Sequence, residues 1–375
     1  LKIAAVEDDL ILTSSMRRFS LWEVDGTDCY FAKPDLKTAE SFFMREAREG
    51  STIEFFSLVR EKDDVVEERF LSEADPVIRQ RLGFLRESGI RKCRSFFAVS
   101  NDLPKKEFPK DELDAAYQKS LVQSFGISAR RLGTPEIKEI LYEMISFGGE
   151  MKIHPEMSVR EELIQKQCSA TPEYFKVGES FCKVLSLKFM PKETHPFMIS
   201  RLIDTFLCNF TFSVSFTVLP QAREMLSLEA KERFYIATSG RGAAHNAKES
   251  DELMNLLTVS KHKIGFLSAK IVVSENDSRL LEKRCEELSV LMKNYGFFFE
   301  EETWGHDLEF FKSLPSLMSL SERQIRVLSA NFIEMIPAAR HGHGNFDGRF
   351  PLFLRNRFGE IYGFDAGSSK RNNKN

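Results

Sequence analysis

The sequence has no C-x-x-C pair, no H-E-x-x-H and no Gly-Lys dipeptide, and only two tryptophans in 375 residues. Without Gly-Lys there is no G-x-x-x-x-G-K-[ST] loop, whose backbone nest needs that lysine to hold a phosphate. Without H-E-x-x-H there is no zincin-type metal helix. The six cysteines, Cys29, Cys93, Cys168, Cys182, Cys208 and Cys285, are widely scattered. Such spacing fits reduced, buried thiols of a cytosolic protein rather than a disulfide framework or a zinc site. No apolar run approaches the ~20 residues of a membrane-spanning helix. A surplus of basic charge is also missing: 53 Lys and Arg face 56 Asp and Glu, for a net charge of −3. That balance excludes a general nucleic-acid coat. No charged-then-apolar signal segment opens the chain. The chain starts at Leu1 and stops in the polar run Gly367 to Asn375, so both ends are expected to be cuts in a longer protein.

Phenylalanine is abundant, with 34 against seven tyrosines. Large rings fill cores and interfaces, so the surplus predicts a big core with a buried docking surface. At 375 residues two or three domains are expected. Residues 1–165 alternate strand and helix signals. Phe19 to Val24 and Asp28 to Phe31 read as strands about the turn pair Asp25-Gly26. Leu36 to Arg48, Pro76 to Glu87 and Lys110 to Phe125 read as helices, and Ile53 to Arg60 and Cys93 to Val99 as strands. Thr134-Pro135-Glu136 reads as a hydroxyl N-cap, a first-turn proline and a first-turn acid, opening a helix that stops at Gly148-Gly149.

Residues 166–305 carry two strand–helix–strand units. Phe181 to Phe189, a helix over Phe197 to Leu207, and Thr211 to Leu219 form the first. In the last of these, Phe212, Val214, Phe216 and Val218 alternate with Ser213, Ser215 and Thr217. Helical sequence interrupted at Ser239-Gly240-Arg241-Gly242 follows. Lys263 to Val273, Arg279 to Tyr295 and Phe297 to Glu301 form the second unit. Its helix carries one apolar stripe, Leu281, Cys285, Leu288, Met292 and Tyr295. Two such units predict a ferredoxin-like split βαβ domain, with helices on one sheet face and the other free for docking. The fold class is therefore α/β (α+β), but such a fold carries no obligatory chemistry.

Candidate chemistry is sparse. Gly240-Arg241-Gly242-Ala243-Ala244-His245 begins like G-x-G-x-x-G, yet His245 replaces the third glycine and no strand precedes it, so an interhelical turn is the reading. Leu202-Ile203-Asp204 imitates the end of a Walker B strand but falls in a helical stripe. His341 and His343 could clamp a metal from an extended loop, with Asp347 the only third ligand suggested nearby; a mobile glycine-rich loop is the favoured reading. His154, His195, His262 and His306 sit beside loops or charges and read as solvated. The basic clusters Arg91-Lys92-Cys93-Arg94, Arg130-Arg131 and Lys370-Arg371 are short, and solvated surface is favoured over a DNA contact. No catalytic, cofactor or metal residue is assigned, and these motifs alone lead to a multi-domain α/β adaptor.

The last ~75 residues add a resemblance. Phe310-Phe311-Lys312-Ser313-Leu314-Pro315, then Val327 to Pro337 with Ser329 and Asn331, then Gly344, Pro351 to Arg355 and Gly359 to Asp365 resemble one family's approach to its motor domain. That family is the large ATPases of conjugation and type IV secretion systems, the TraC/TrbE type. Phe125 to Leu132 also suits its N-terminal region. The similarity is specific from about Phe310 onward. It implies that 306–375 is a helical connector plus the first hairpin, Leu352 to Leu354 with Ile361 to Phe364, of a RecA-like motor whose Walker A and Walker B lie beyond Asn375. ATP and Mg²⁺ would belong to the parent, not to this stretch. The resemblance further implies docking onto inner-membrane components, self-association and a cytoplasmic, membrane-peripheral location. A stand-alone structural adaptor and, more distantly, a phosphate-binding enzyme using the Gly240 to Gly242 loop are the competing readings.

Overall fold

A computed structural model describes residues 1–24, 36–61, 91–100, 111–125, 129–149, 151–152, 157–191, 193–195, 198–199, 208–237, 242–259, 261–336, 352–355 and 361–364, with the single positions 76, 80 and 206. The chain opens with β1 (Ile3–Glu7), β2 (Leu10–Thr13) and β3 (Arg18–Val24). Then follow α1 (Leu36–Arg45), β4 (Thr52–Glu61), β5 (Arg91–Ser100), α2 (Asp111–Ser124), β6 (Ala129–Arg131), α3 (Thr134–Ser146) and α4 (Val159–Leu163). The middle holds β7 (Cys168–Ala170), β8 (Phe175–Val177), β9 (Ser180–Phe189), β10 (Asn209–Val218), α5 (Gln221–Ala237), α6 (Ala243–Thr258), β11 (Ile264–Glu275), α7 (Ser278–Asn294) and β12 (Phe298–Glu301). The last elements are α8 (His306–Phe311), a 3-10 turn (Met318–Leu320), β13 (Ile325–Leu328), α9 (Ser329–Met335), β14 (Leu352–Arg355) and β15 (Ile361–Phe364). The turn at Asp25-Gly26, the run Asp28 to Phe31 and most of Pro76 to Glu87 lie outside the described residues.

Thirteen strands form one sheet along the path β1-β2-β3-β5-β4-β10-β11-β9-β8-β7, with β6 beside β3, β13 beside β11 and β12 beside β9. Every pairing is antiparallel. Both strand–helix–strand units read from the sequence lie in this sheet, ordered β12-β9-β11-β10. Of the helix expected over Phe197 to Leu207, Ile199 and Phe206 are described and buried. They share a cluster with Leu281, Cys285, Leu288 and Met292 of α7, so the apolar stripe of α7 faces the sheet as its spacing requires. The sheet does not end at β10. Phe210 to Thr217 pair with Val59 to Thr52, so the N-terminal strands continue the same sheet past residue 165.

Helices cover one face through Phe43, Leu121, Phe125, Leu281 and Phe332, which pack on Phe55, Phe97, Phe212 and Phe216. The other face carries Phe56, Leu58, Phe96, Val184 and Val272 under α3 and the segment around Phe310, Leu314 and Met318. The face expected to be free is therefore covered. Its polar residues Thr211, Ser213 and Ser215 are as buried as the phenylalanines between them. Alternation told which residues share a face, but small hydroxyls let a second layer settle closely on the polar side.

Helix α3 begins one residue earlier than its capping signature suggests. Gly133, in extended backbone, is the N-cap, and the Glu136 carboxylate accepts from its N–H at 3.0 Å. Thr134 is instead tied to the β1–β2 turn: its hydroxyl accepts from Asp9 N–H and donates to Asp9 Oδ1. At the other end Phe147 takes a left-handed conformation, and Gly148 and Gly149 follow with positive φ, ending the helix. Helices α5 and α6 stand out as a two-helix arm between β10 and β11, with Leu226, Phe234, Ile236 and Val259 exposed.

Candidate functional site

The covered face is the most unusual chemical environment among the described residues. Glu54 sits near the start of β4, between Ile53 and Phe55, and has no solvent exposure. Strand alternation turns it to the face opposite those two apolar neighbours. Its Oε2 accepts the Ser316 N–H at 2.6 Å, closing the start of the turn that leads to Met318. Burial pushes its carboxyl up to about 8, despite the backbone N–H of Ser316 and the Arg17 guanidinium, which both oppose the rise. Arg17 braces the same turn, donating to Ser319 Oγ at 3.2 Å and to Thr52 Oγ1 at 2.8 Å.

A second anchor lies on β11. Lys270 interrupts the run Ile264 to Val273 and is completely buried. Its Nζ meets Glu309 Oε2 at 2.7 Å, and Lys312 meets the other carboxylate oxygen at 2.9 Å. Ser321 Oγ adds a hydrogen bond to Glu309 Oε2 at 3.2 Å. Burial lowers the Lys270 ammonium to about 8 even though Glu309 pulls it upward. Burial raises the Glu309 carboxyl, but Lys270 and Lys312 together outweigh that and hold it below its ordinary value. Buried ion pairs of this kind contribute little net stability, because desolvation offsets the attraction, but they fix register.

After the 3-10 turn the chain rounds the sheet. β13 pairs with the start of β11, Leu328 opposite Ile264 and Ile325 opposite Leu267. Ser329 N–H donates to Lys263 O at 2.8 Å, and Asn331 Oδ1 accepts from Leu328 N–H at 3.2 Å to start α9. Asn331 Nδ2 donates to Thr194 Oγ1 at 3.0 Å, and the Thr194 hydroxyl donates to Glu334. Phe332 then stacks on Phe216 at 5.3 Å and lies 5.9 Å from Phe43, on the opposite face from Phe310. Phe310 to Pro315, Ser329 and Asn331, the residues that carried the resemblance, thus clasp the sheet from both sides.

Those of the residues singled out from the sequence that are described are not brought together. His245 lies exposed on α6 and pairs with Glu249 at 3.2 Å, while Gly242 is the N-cap of that helix. Gly240, Arg241, Leu202, Ile203, Asp204, His154, His341, His343, Asp347, Lys370 and Arg371 lie outside the described residues. Arg94 bonds Glu23 and Glu143, and Arg130 bonds Glu23 and Glu136, so these two arginines are paired with acids. His195 is exposed as expected. His306 is not: it is 1% exposed, and burial, with the Lys183 ammonium nearby, holds its imidazole below the ordinary value. Its neighbours Phe310 and Phe311 draw the start of α8 into the core. Sequence reasoning passed over Glu54 and Lys270; a charge inside an otherwise buried strand was the available signal.

Among the described residues no group of three His, Cys, Asp or Glu could hold a metal ion, and no helix is long and apolar enough to cross a membrane. A cavity of about 180 Å³ at the foot of the arm, lined by Met44, Met225, Leu257 and His262, is below the ~300 Å³ at which small-molecule sites begin. The five described cysteines are free thiols, four of them buried.

A sequence model of the CagE, TrbE, VirB family, component of type IV transporter system, matches residues 135–323. The chain belongs to this family. The match starts at Pro135 in the first turn of α3 and ends just past the 3-10 turn. It therefore takes in β9 to β12 and the Lys270–Glu309 anchor, but not β4 with Glu54. Comparison with curated proteins gives no match.

Proposed function

We propose that this chain is the N-terminal docking and oligomerisation region of a type IV secretion or conjugation ATPase, whose parent hydrolyses ATP to power assembly or transfer. The observation that carries the reading is the family match over half of the chain. The arm supports protein contact as its means: Leu226, Phe234 and Ile236 project into solvent from a two-helix element, and exposed apolar side chains of this kind mark interaction surfaces. In this reading the set β9 to β12 is the ferredoxin-like unit of residues 166–305, embedded in the larger sheet. The paired strands β14 and β15, Leu352 opposite Phe364, begin the motor's sheet. Docking is onto inner-membrane components from the cytoplasmic side, and ATP and Mg²⁺ act in the parent, with no residue of this chain holding them.

The test has two arms. Calorimetry of this chain with Mg-ATP is expected to show no binding, and the reading frame past Asn375 is expected to continue into Gly-Lys-Ser/Thr within about 25 residues. Micromolar ATP affinity would favour the enzyme reading. A frame that ends at Asn375 would favour a stand-alone adaptor.

A further inference from the structure

The segment from His306 to Ile336 crosses the sheet on one face, pairs at the start of β11 and returns across the other face. Its first half does not sit on an oil-like surface. Beneath it are Glu54, Lys270, Ser186 and Ser268, all almost fully buried. The hydroxyls of Ser186, Ser268 and Ser316 have no hydrogen-bond partner among the described residues. Buried polar groups without partners destabilise the closed state, because water satisfies them once the cover lifts. The second half is different: Phe332 packs on Phe216 and Phe43, Ile333 and Met335 are buried in the same apolar cluster, and its polar side chains Asn331 and Glu334 are both tied to Thr194.

We propose that residues 306–336 form a releasable clasp whose two halves open together, with the buried Lys270–Glu309–Lys312 cluster as its latch. The two halves are linked by β13, only four residues long, whose pairing at the start of β11 fixes the exit of the first half and the start of the second. Shifting the first half moves β13, and α9 starts at the residue after β13 ends. The latch holds the register. Glu309 is its centre, since it receives Lys270, Lys312 and Ser321 at once. Besides those three, the charged groups around the latch are the exposed Glu322, 3.6 Å from Lys312, and Glu302 and Arg323, which act on Lys270 and Glu309 through space. Because β14 and β15 lie downstream in the chain, the clasp is the joint through which displacement of that hairpin would reach the sheet. The inference concerns this chain's own mechanics and stands apart from the docking reading.

Amide hydrogen exchange of the whole chain tests it, with Glu309→Gln and the milder Ser321→Ala. The reporters are the N–H groups of Lys312, Leu317 and Leu320 for the first half, and of Ser329 and Ile336 for the second, all hydrogen-bonded in the closed form. Losing one hydrogen bond to a charged group is expected to speed exchange about tenfold in Ser321→Ala, and breaking the latch about a hundredfold in Glu309→Gln. Both halves should accelerate by the same factor while β4 and β5 stay unchanged. Acceleration confined to the first half, or none in either variant, overturns the clasp. Should Glu309→Gln unfold the whole sheet, the comparison of halves in Ser321→Ala decides alone.

Discussion

Substituting Glu54 by Gln separates the electrostatic role of this side chain from its shape. The carboxyl of Glu54 titrates at about 8 in the folded chain, against 4.5 as its ordinary value, because burial penalises the anion. The folded state therefore keeps a proton that the unfolded chain gives up at about pH 4.5. Stability conferred by that proton is complete below pH 4.5 and is lost steadily as the pH rises toward 8, at about 1.4 kcal/mol per pH unit. Between pH 5 and 7.5 the loss is of order 3 kcal/mol. Glutamine has the same shape, accepts the Ser316 N–H through its amide oxygen and does not titrate. Urea unfolding followed by the buried Trp22, at pH 5, 6.3 and 7.5, should show similar stability at pH 5 and a variant more stable by about 3 kcal/mol at pH 7.5. Parallel curves, differing by less than about 0.5 kcal/mol across the range, would refute the assignment of a protonated Glu54.

Three further outcomes follow from packing. Phe332→Ala removes a fully buried ring stacked on Phe216 and should destabilise the chain by about 3–5 kcal/mol in the same urea assay. Gly265→Ala should lose at least 1–3 kcal/mol, since a Cβ there would lie 2.3 Å from Phe216 Cζ and 2.7 Å from the Thr217 carbonyl. By contrast, Phe234→Ser with Ile236→Ser changes only exposed arm positions, so unfolding should shift by no more than about 0.5 kcal/mol. A larger loss in that double variant would mean the arm is packed rather than projecting.

What was legible in the sequence followed from period. The stripe Leu281, Cys285, Leu288, Met292 put α7 on the sheet, and the alternation of Phe212 to Val218 put β10 in it. Their common sheet, ordered β12-β9-β11-β10, matches the two units read from the chain. What was not legible depends on partners far away. Ser213 and Ser215 look like solvent-facing positions, yet both are buried, because a second layer covers that face of the sheet. The pairing of β4 with β10 leaves no local trace either, because a strand's pattern shows which face is apolar but not which edge is occupied. Glu54 and Lys270 were visible as charges inside apolar runs, and each marks the spot where a polar partner lands. The one-residue error at Thr134 arose because Gly133 also tolerates the cap conformation, and Glu136 reaches back to it.

The union of β4 with β10 has a consequence during synthesis. β4 leaves the ribosome roughly 150 residues before the strand that completes its edge, and Glu54 waits 262 residues for Ser316. At about 5–20 residues per second the first interval is on the order of 10–30 s and the second longer still. For that time the nascent chain presents an unpaired edge beside Phe55 and Phe56, with a carboxylate between apolar neighbours. An isolated strand with Ile53, Phe55, Phe56 and Leu58 is a template for pairing with other chains. A charge at Glu54, ionised in water while its burial is pending, interrupts that template and opposes premature association. The same side chain then loses its charge only when the late-arriving turn closes over it.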